Sequence, residues 1–306
     1  TDGHIIKFGA DNDVSLTHVA DTGLLINSTR QLQFNDASQN INAPSATVLD
    51  INATDEIELN ATAVDLNGTL DVSGTTTAVA ITASGLITAN ANITLAGTTP
   101  TLTIGDAGAE DAKIVFDGNA QDYHIGLDDS ADDLVIGKGS ALGTTAHIVT
   151  DENGNVTKPL QPVFLVRPSS DQVDLATGDT TVAWGAEVFD VGSNFASNTF
   201  TAPVTGKYQF NVSLYLSNID IDTTLFELYM VASNRKQRLM AANFAKDFSA
   251  DGNGFHSMNA STILDMDASD TIHAFISVTG GGGVIHLNGS APSSEFYTNW
   301  SGALIC

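Results

Sequence analysis

The apolar residues of this chain fall in short bursts with a period of two. Between residues 49 and 104 they pair as Leu49 and Ile51, Ile57 and Leu59, Val64 and Leu66, Leu70 and Val72, Val79 and Ile81, Ile93 and Leu95, and Leu102 and Ile104. Such alternation predicts strands with one apolar face. Turn formers separate the bursts at Asn67-Gly68, Ser73-Gly74, Ser84-Gly85 and Ala96-Gly97. Steps of about six to nine residues make an imperfect strand–turn repeat. Residues 31–112 contain no lysine or arginine, and residues 35–115 contain no aromatic residue. A stretch so poor in bulky side chains can hardly build a core by itself. Strand–turn units of this kind bury their apolar stripe by stacking or by winding around copies of themselves. Residues 41–105 are therefore expected to form the shaft of a multi-chain β fibre.

Two segments flanking the repeat resemble each other. Residues 5–27 read IIKFGADNDVSLTHVADTGLLIN and residues 114–137 read IVFDGNAQDYHIGLDDSADDLVIG. Both run from an apolar start with phenylalanine through an Asp/Asn/Gly turn and a strand to an acidic Ala-Asp turn and an apolar end. Asp and Asn suit these turns because their side chains bond their own backbone. A β-hairpin module is thus expected at 1–40, and a second β module with a linker at 106–158. The linker Lys158-Pro159-Leu160-Gln161-Pro162 is stiffened by two prolines. Beyond it the composition changes. Residues 1–158 hold four aromatics, Phe8, Phe34, Phe116 and Tyr123, and all the others lie in 159–306. Short apolar runs between Gly, Asn and Asp turns predict a sandwich or jelly roll there. Thr224–Arg238 alternates well enough to be a buried strand, and no convincing helix appears.

Charge narrows the partners. A formal net charge of −25 with only 11 Lys and Arg excludes a nucleic-acid partner, because phosphate contacts need a basic face. No apolar run is long enough for a membrane-spanning helix. Cys306 stands alone, so no intrachain disulfide forms, and it reads as a small apolar residue finishing the last strand. The start at Thr1, without methionine, suggests a fragment with an anchoring segment missing upstream.

Residues Thr199–Leu216, TFTAPVTGKYQFNVSLYL, resemble the signature strands of the C1q/TNF-like jelly-roll superfamily. Phe200, Ala202, Pro203, Gly206, Tyr208 and Phe210 match its Phe-x-Ala-Pro-x-x-Gly-x-Tyr-x-Phe pattern. Leu264–Ile272 resembles the turn into a late strand, and Trp300-Ser301-Gly302 the closing strand. The resemblance covers about 165–306 and implies a ten-stranded sandwich that packs as a trimer. Collagen, the usual stalk of such heads, is absent, since no Gly-X-Y run occurs. Residues 1–158 instead, through the phrases GADNDVSLTHVADTGLLIN, INAPSATVLDINATDEIELNATAVDLNGTLDVSG and DYHIGLDDSADDLVIGKGS, resemble tail-fibre and other virion structural proteins of marine phages. The expected fold is all-β: a trimeric shaft of intertwined strands, a β-prism or triple β-helix, ending in a C1q-like head at 159–306. Phe200, Tyr208 and Phe210 are expected to alternate into its core, with Pro203 and Gly206 shaping a hairpin turn.

Little points to catalysis. None of the seven histidines forms a metal motif or a metal-spaced pair, and Gly-x-Ser-x-Gly is absent. Acidic groups occur at Asp11/Asp13, at Asp128/Asp129/Asp132/Asp133 and at Asp265/Asp267/Asp270, but none matches a calcium loop. Solvated turns outrank calcium here; were calcium bound, the head is its expected place. No catalytic, cofactor or metal residue is assigned. Recognition is expected in the head loops. The only basic cluster, Arg235-Lys236-Gln237-Arg238, could meet an acidic glycan or a neighbouring subunit. Asp251, Asn253 and His256 lie in a candidate contact loop, and Gly280–Gly283 is a flexible one.

The function expected is that of a homotrimeric fibre or adhesin, extracellular on a virion. Its head binds a host cell-surface glycan or protein, and its missing N-terminal region joins other virion proteins. Two alternatives stand beside it, a polysaccharide depolymerase and a structural virion protein whose head only clamps the trimer.

Overall fold

The computed structural model describes residues 3–249, 254–289 and 296–306. The chain divides into two units, Thr1–Asn92 and Ile93–Cys306.

In the first unit, β1 (Ile5–Phe8), β2 (Val14–Val19) and β3 (Gly23–Ile26) form a three-stranded antiparallel sheet. Asn12 and Asp21, at φ 57° and 56°, place its two turns in the left-handed region that Asn and Asp tolerate. A second sheet joins β4 (Leu32–Phe34), β5 (Asp36–Ser45) and β6 (Val48–Asn52). Its one buried side chain is Asn40, whose amide donates to Ala37 O and accepts from Asn52.

Among the described residues, 53–111 join no strand of the chain. They bend at 68, 73–74, 84–85 and 97, where the turns were predicted, and also at 54–55, 62, 79, 90–91, 98–99, 105 and 107–110. The strands expected from Ile57 to Ile104 do not form within this chain, because no second strand pairs with them. Every one of them is exposed, and no backbone–backbone hydrogen bond involves them. Among the described residues before Val135, no hydrophobic side chain is buried. The shortage of bulky residues has the consequence expected of it.

The second unit resumes with a five-stranded sheet. It is built from β7 (Ala112–Phe116), β8 (Tyr123–Asp128), β9 (Asp133–Lys138), β10 (Ala146–Thr150) and β11 (Val156–Thr157), paired in sequence order. Asp132, at φ 57°, occupies the Ala-Asp turn that Asp21 occupies in the first module.

The head follows. Its strands are β12 (Val163–Arg167), β13 (Gly178–Thr181), β14 (Ala186–Val191), β15 (Phe195–Ala196), β16 (Thr199–Thr201), β17 (Gly206–Ser217), β18 (Thr223–Ala232) and β19 (Arg235–Ala242). One helical turn, α1 (Phe244–Asp247), comes next, then β20 (His256–Met266), β21 (Thr271–Gly280), β22 (His286–Leu287) and β23 (Asn299–Leu304). One sheet runs β14-β12-β23-β17-β20 with β22 beside β17; the other runs β15-β16-β21-β18-β19 with β13 beside β21. The chain crosses repeatedly between the two sheets, staying in one only for β15–β16, β18–β19 and β22–β23, which is the winding of a jelly roll.

Alternate residues of both sheets meet in one core. Phe164 stacks on Phe200 at 5.0 Å across the sandwich and meets Trp300 edge-on at 5.0 Å. Phe200, Tyr208, Phe210 and Trp300 are fully buried, as the signature implied. Gly302 lets β23 pass beneath Phe164 and Phe210.

Four local expectations change. Pro203–Gly206 is not a hairpin turn. It carries the chain from β16 in one sheet to β17 in the other, braced by the Tyr208 hydroxyl donating to Val204 O at 2.7 Å. Thr224–Arg238 is strand as expected, but it breaks at Ser233-Asn234, a tight turn that pairs Ala232 of β18 with Arg235 of β19. α1 arises where Phe244 needs a buried site against Phe226, 5.3 Å between ring centres. The last strand ends at Leu304, and Cys306 is exposed and free, although its carbonyl still accepts from Lys207 N.

Candidate functional site

The strand register places the apolar residues of the second module in rows. Ile114, Ile125, Ile136 and Ile148 lie directly opposite one another across β7, β8, β9 and β10. Residues directly opposite share a face. The neighbouring rows of that face are Ala112–Leu127–Leu134–Thr150 and Phe116–Tyr123–Lys138. This face is open: Ile136 is 38% exposed, Leu134 47% and Phe116 60%. The opposite face holds the buried His124 and Val135. The first module repeats the design in miniature, with a row Ile6–Leu16–Ile26 beside Phe8–Val14. The sequence showed that the modules are alike; the register shows what they share, an uncovered aliphatic ladder. Along 57–104 the same chemistry continues on an extended backbone, from Ile57 and Leu59 to Leu102 and Ile104.

In the head, the basic cluster does not lie in a turn but begins β19. Arg235 pairs with Asp265 at 2.8 Å. Arg238 pairs with Glu227 at 2.8 Å, and the Tyr229 hydroxyl donates to the same carboxylate at 2.9 Å. The Arg238 hydrogen bond holds the nearly buried Glu227 below the usual carboxylate range, outweighing burial, with smaller help from Tyr229 and Lys236. Lys236 takes neither acid. Its ammonium sits 4.1 Å from the ring centre of Tyr229 and 4.4 Å from that of Phe275, two rings stacked 4.9 Å apart at 8°.

His256 opens β20, half-buried, with its ring against Phe244 and Phe248 at 5.3 and 5.8 Å. Asp251 and Asn253 lie outside the described residues. Gly280–Gly283 is anchored: Gly282 N donates to the buried carboxylate of Asp220, and Gly280, Gly281 and Gly283 have φ of 77°, 82° and 71°. A Cβ on Gly281 would strike Asp220 and Thr223. These glycines let a tight loop close over a buried acid, which composition alone presents as flexibility.

The acidic groups are spent locally. Asp128 accepts from Ser130 Oγ, Asp11 from Asp13 N, and Asp270 from Asp267 N. Among the described residues no three His, Cys, Asp or Glu side chains converge as a metal ion requires. His286 meets Asp174 at 3.3 Å, and His273 lies on β21.

One feature escaped sequence reading. A cleft of about 520 Å³ opens where the proline linker meets the base of the head, lined by Leu160, Pro162, Val204, Leu304 and Ile305 with Lys158 at its margin. The linker's apolar Leu160 was its only visible trace. Among the described residues no helix is long and apolar enough to cross a membrane.

No family model and no curated protein matches the chain. Solved structures do. The chain is similar to the globular domain of zebrafish complement 1qA protein, at 15% identity and a TM-score of 0.34, over 48% of this chain and 98% of that one. It is also similar to murine APRIL crystallised at pH 8.5, at 14% identity and a TM-score of 0.33, over 47% of this chain and 99% of that one.

Proposed function

We propose that this chain is one subunit of a homotrimeric β fibre, a tail-fibre-type adhesin of a virion whose jelly-roll head binds a host surface. The observation that carries the reading is the aliphatic ladder Ile114–Ile125–Ile136–Ile148, in which Ile114 and Ile136 are exposed to water and Ile125 and Ile148 half-buried. Apolar surface gains about 25 cal/mol per Å² when it leaves water, and a large open apolar face marks an interface. Residues 53–111 add a second requirement. A backbone with no backbone–backbone hydrogen bonds is a template for pairing with another chain. Identical copies meet both needs at once, because each supplies the same ladder and the same unpaired strands. Three copies follow from the signature resemblance at Thr199–Leu216.

The mechanism is contact without turnover. Three heads on one axis engage a surface together, and avidity exceeds the affinity of each. The partners are a host cell-surface glycan or protein at the head and other virion proteins at the far end. The particle's exterior is the place of action.

Mass in solution tests the assembly: three chains of 31.9 kDa are expected. A folded monomer on dilution rejects it. Adsorption to host cells tests the binding role. Exchanging the head loops should abolish adsorption while the mass stays at three chains; unchanged adsorption makes the head a clamp only.

A further inference from the structure

A shallow cleft of about 310 Å³ lies on the second head sheet, on the face turned away from the core. Asp179 and Thr181 of β13, His273 and Phe275 of β21, Val231 of β18 and Lys236 of β19 line it. The register explains why they meet. Lys236, Val231 and His273 form one cross-strand row, and Tyr229, Phe275 and Thr181 the next. Four strands therefore position the six side chains, and no loop is needed to complete the site.

Lys236 is the informative member. Its neighbours Arg235 and Arg238 are each held by a carboxylate. Among the described residues no carboxylate lies within 4.0 Å of the Lys236 ammonium. The stacked rings of Tyr229 and Phe275 hold it in place instead. An ammonium already fixed on aromatic faces loses little freedom when an anion binds. In a chain of net charge −25, an anion must be drawn by such a local feature rather than by the whole molecule.

We infer that this cleft takes one carboxylated sugar unit, with Lys236 facing the carboxylate. The remaining lining suits a sugar ring. Thr181, His273 and Asp179 offer donors and acceptors for hydroxyls, and Val231, with the little of Phe275 that stays exposed, offers an apolar surface for C–H groups. The volume lies at the low end of the about 300–1,000 Å³ typical of small-ligand sites, enough for a single ring. Asp179 sets the charge pattern. One cation beside one carboxylate fits a ligand with a lone acid among hydroxyls, and it opposes a run of acidic residues in a peptide. The inference rests on the reading of the head as the binding end and names what that end takes.

The full chain would be titrated calorimetrically with oligogalacturonate and with sialyllactose, each against its methyl ester; the two acids separate uronic from sialic sources. At least one acid should bind, and its ester should bind about tenfold more weakly or worse, as expected when a charged hydrogen bond is lost. Lys236→Met keeps the packing on the rings and should weaken the acid by about the same factor, while Lys236→Arg retains binding. Thr181→Val, which removes one hydroxyl, should weaken binding as well and serves as the second variant if Lys236→Met lowers the unfolding midpoint. Binding of neither acid, equal binding of the esters, wild-type affinity in both variants, or tighter binding of an oligoglutamate peptide would overturn the inference. Mass is read in the same samples: three chains with no sugar bound sinks this site alone, whereas single chains sink the fibre.

Discussion

Gly302 shows how narrowly single residues are specified in the head. A Cβ there would stand 2.5 Å from a ring carbon of Phe164 and 2.6 Å from one of Phe210. Neither ring can retreat, since Phe164 also touches Phe195, Phe200 and Trp300. Gly302→Ala should therefore destabilise the head by about 1–3 kcal/mol, the usual cost of overpacking. Chemical denaturation followed by tryptophan fluorescence reads this directly, because Trp184 and Trp300 both lie in that core. Gly68→Ala is the matched control. Its added carbon meets nothing within 4 Å, so the midpoint should not move. Equal midpoints for all three proteins would mean that the aromatic core yields freely. The arginines of the basic cluster illustrate a different limit at this scale. Their charge was plain in the sequence, but Glu227 reaches Arg238 through the pairing of β18 with β19 and Asp265 reaches Arg235 from the other sheet, so their occupation was not.

At the scale of elements, the two small modules and the head solve burial differently. The head closes two sheets on each other, and its alternating residues disappear into a common interior. Each module is a single layer, and one of its faces stays uncovered. Ile136→Glu tests what that face is for. The residue is already 38% exposed, so a charge there should disturb the chain's own fold little, within about 0.5 kcal/mol for a surface site. In an assembly the same carboxylate would sit in a desolvated ladder, which is costly for an unpaired charge. The expected result is a loss of the three-chain species with an unchanged head midpoint. If the variant assembles as the wild type does, the ladder is not the contact between copies. The alternation that places these isoleucines was legible, and so was the likeness of the modules. Their sharing of one row was not, because register depends on where each turn ends and a shift of one residue would turn the row to the other face.

At the scale of the whole molecule, charge opposes what the apolar faces favour. Each chain carries a formal −25, so bringing copies side by side adds repulsion. Salt weakens that term, with a screening length of about 30 Å at 0.01 M and about 8 Å at 0.15 M. Sedimentation across this range should show single chains gaining at low salt and the assembly recovering as salt rises. Dissociation on adding salt would mean that ion pairs between copies, not apolar faces, hold them together. The sequence by itself determined the bends at 68, 73–74, 84–85 and 97, the poverty of core before Val135 and the aromatic interior of the head, but not the strands expected over 57–104, which this chain alone does not pair. These depend on local backbone preference and on residue size, which any stretch of chain carries with it. The tertiary structure alone decided that Pro203–Gly206 crosses between sheets, that Gly280–Gly283 closes over Asp220 and that Lys236 rests on Tyr229 and Phe275. The crossing depends on which sheet each strand joins, and Gly282 meets Asp220 and Phe275 meets Lys236 only because strands distant in the chain pair around one core, which no local pattern records.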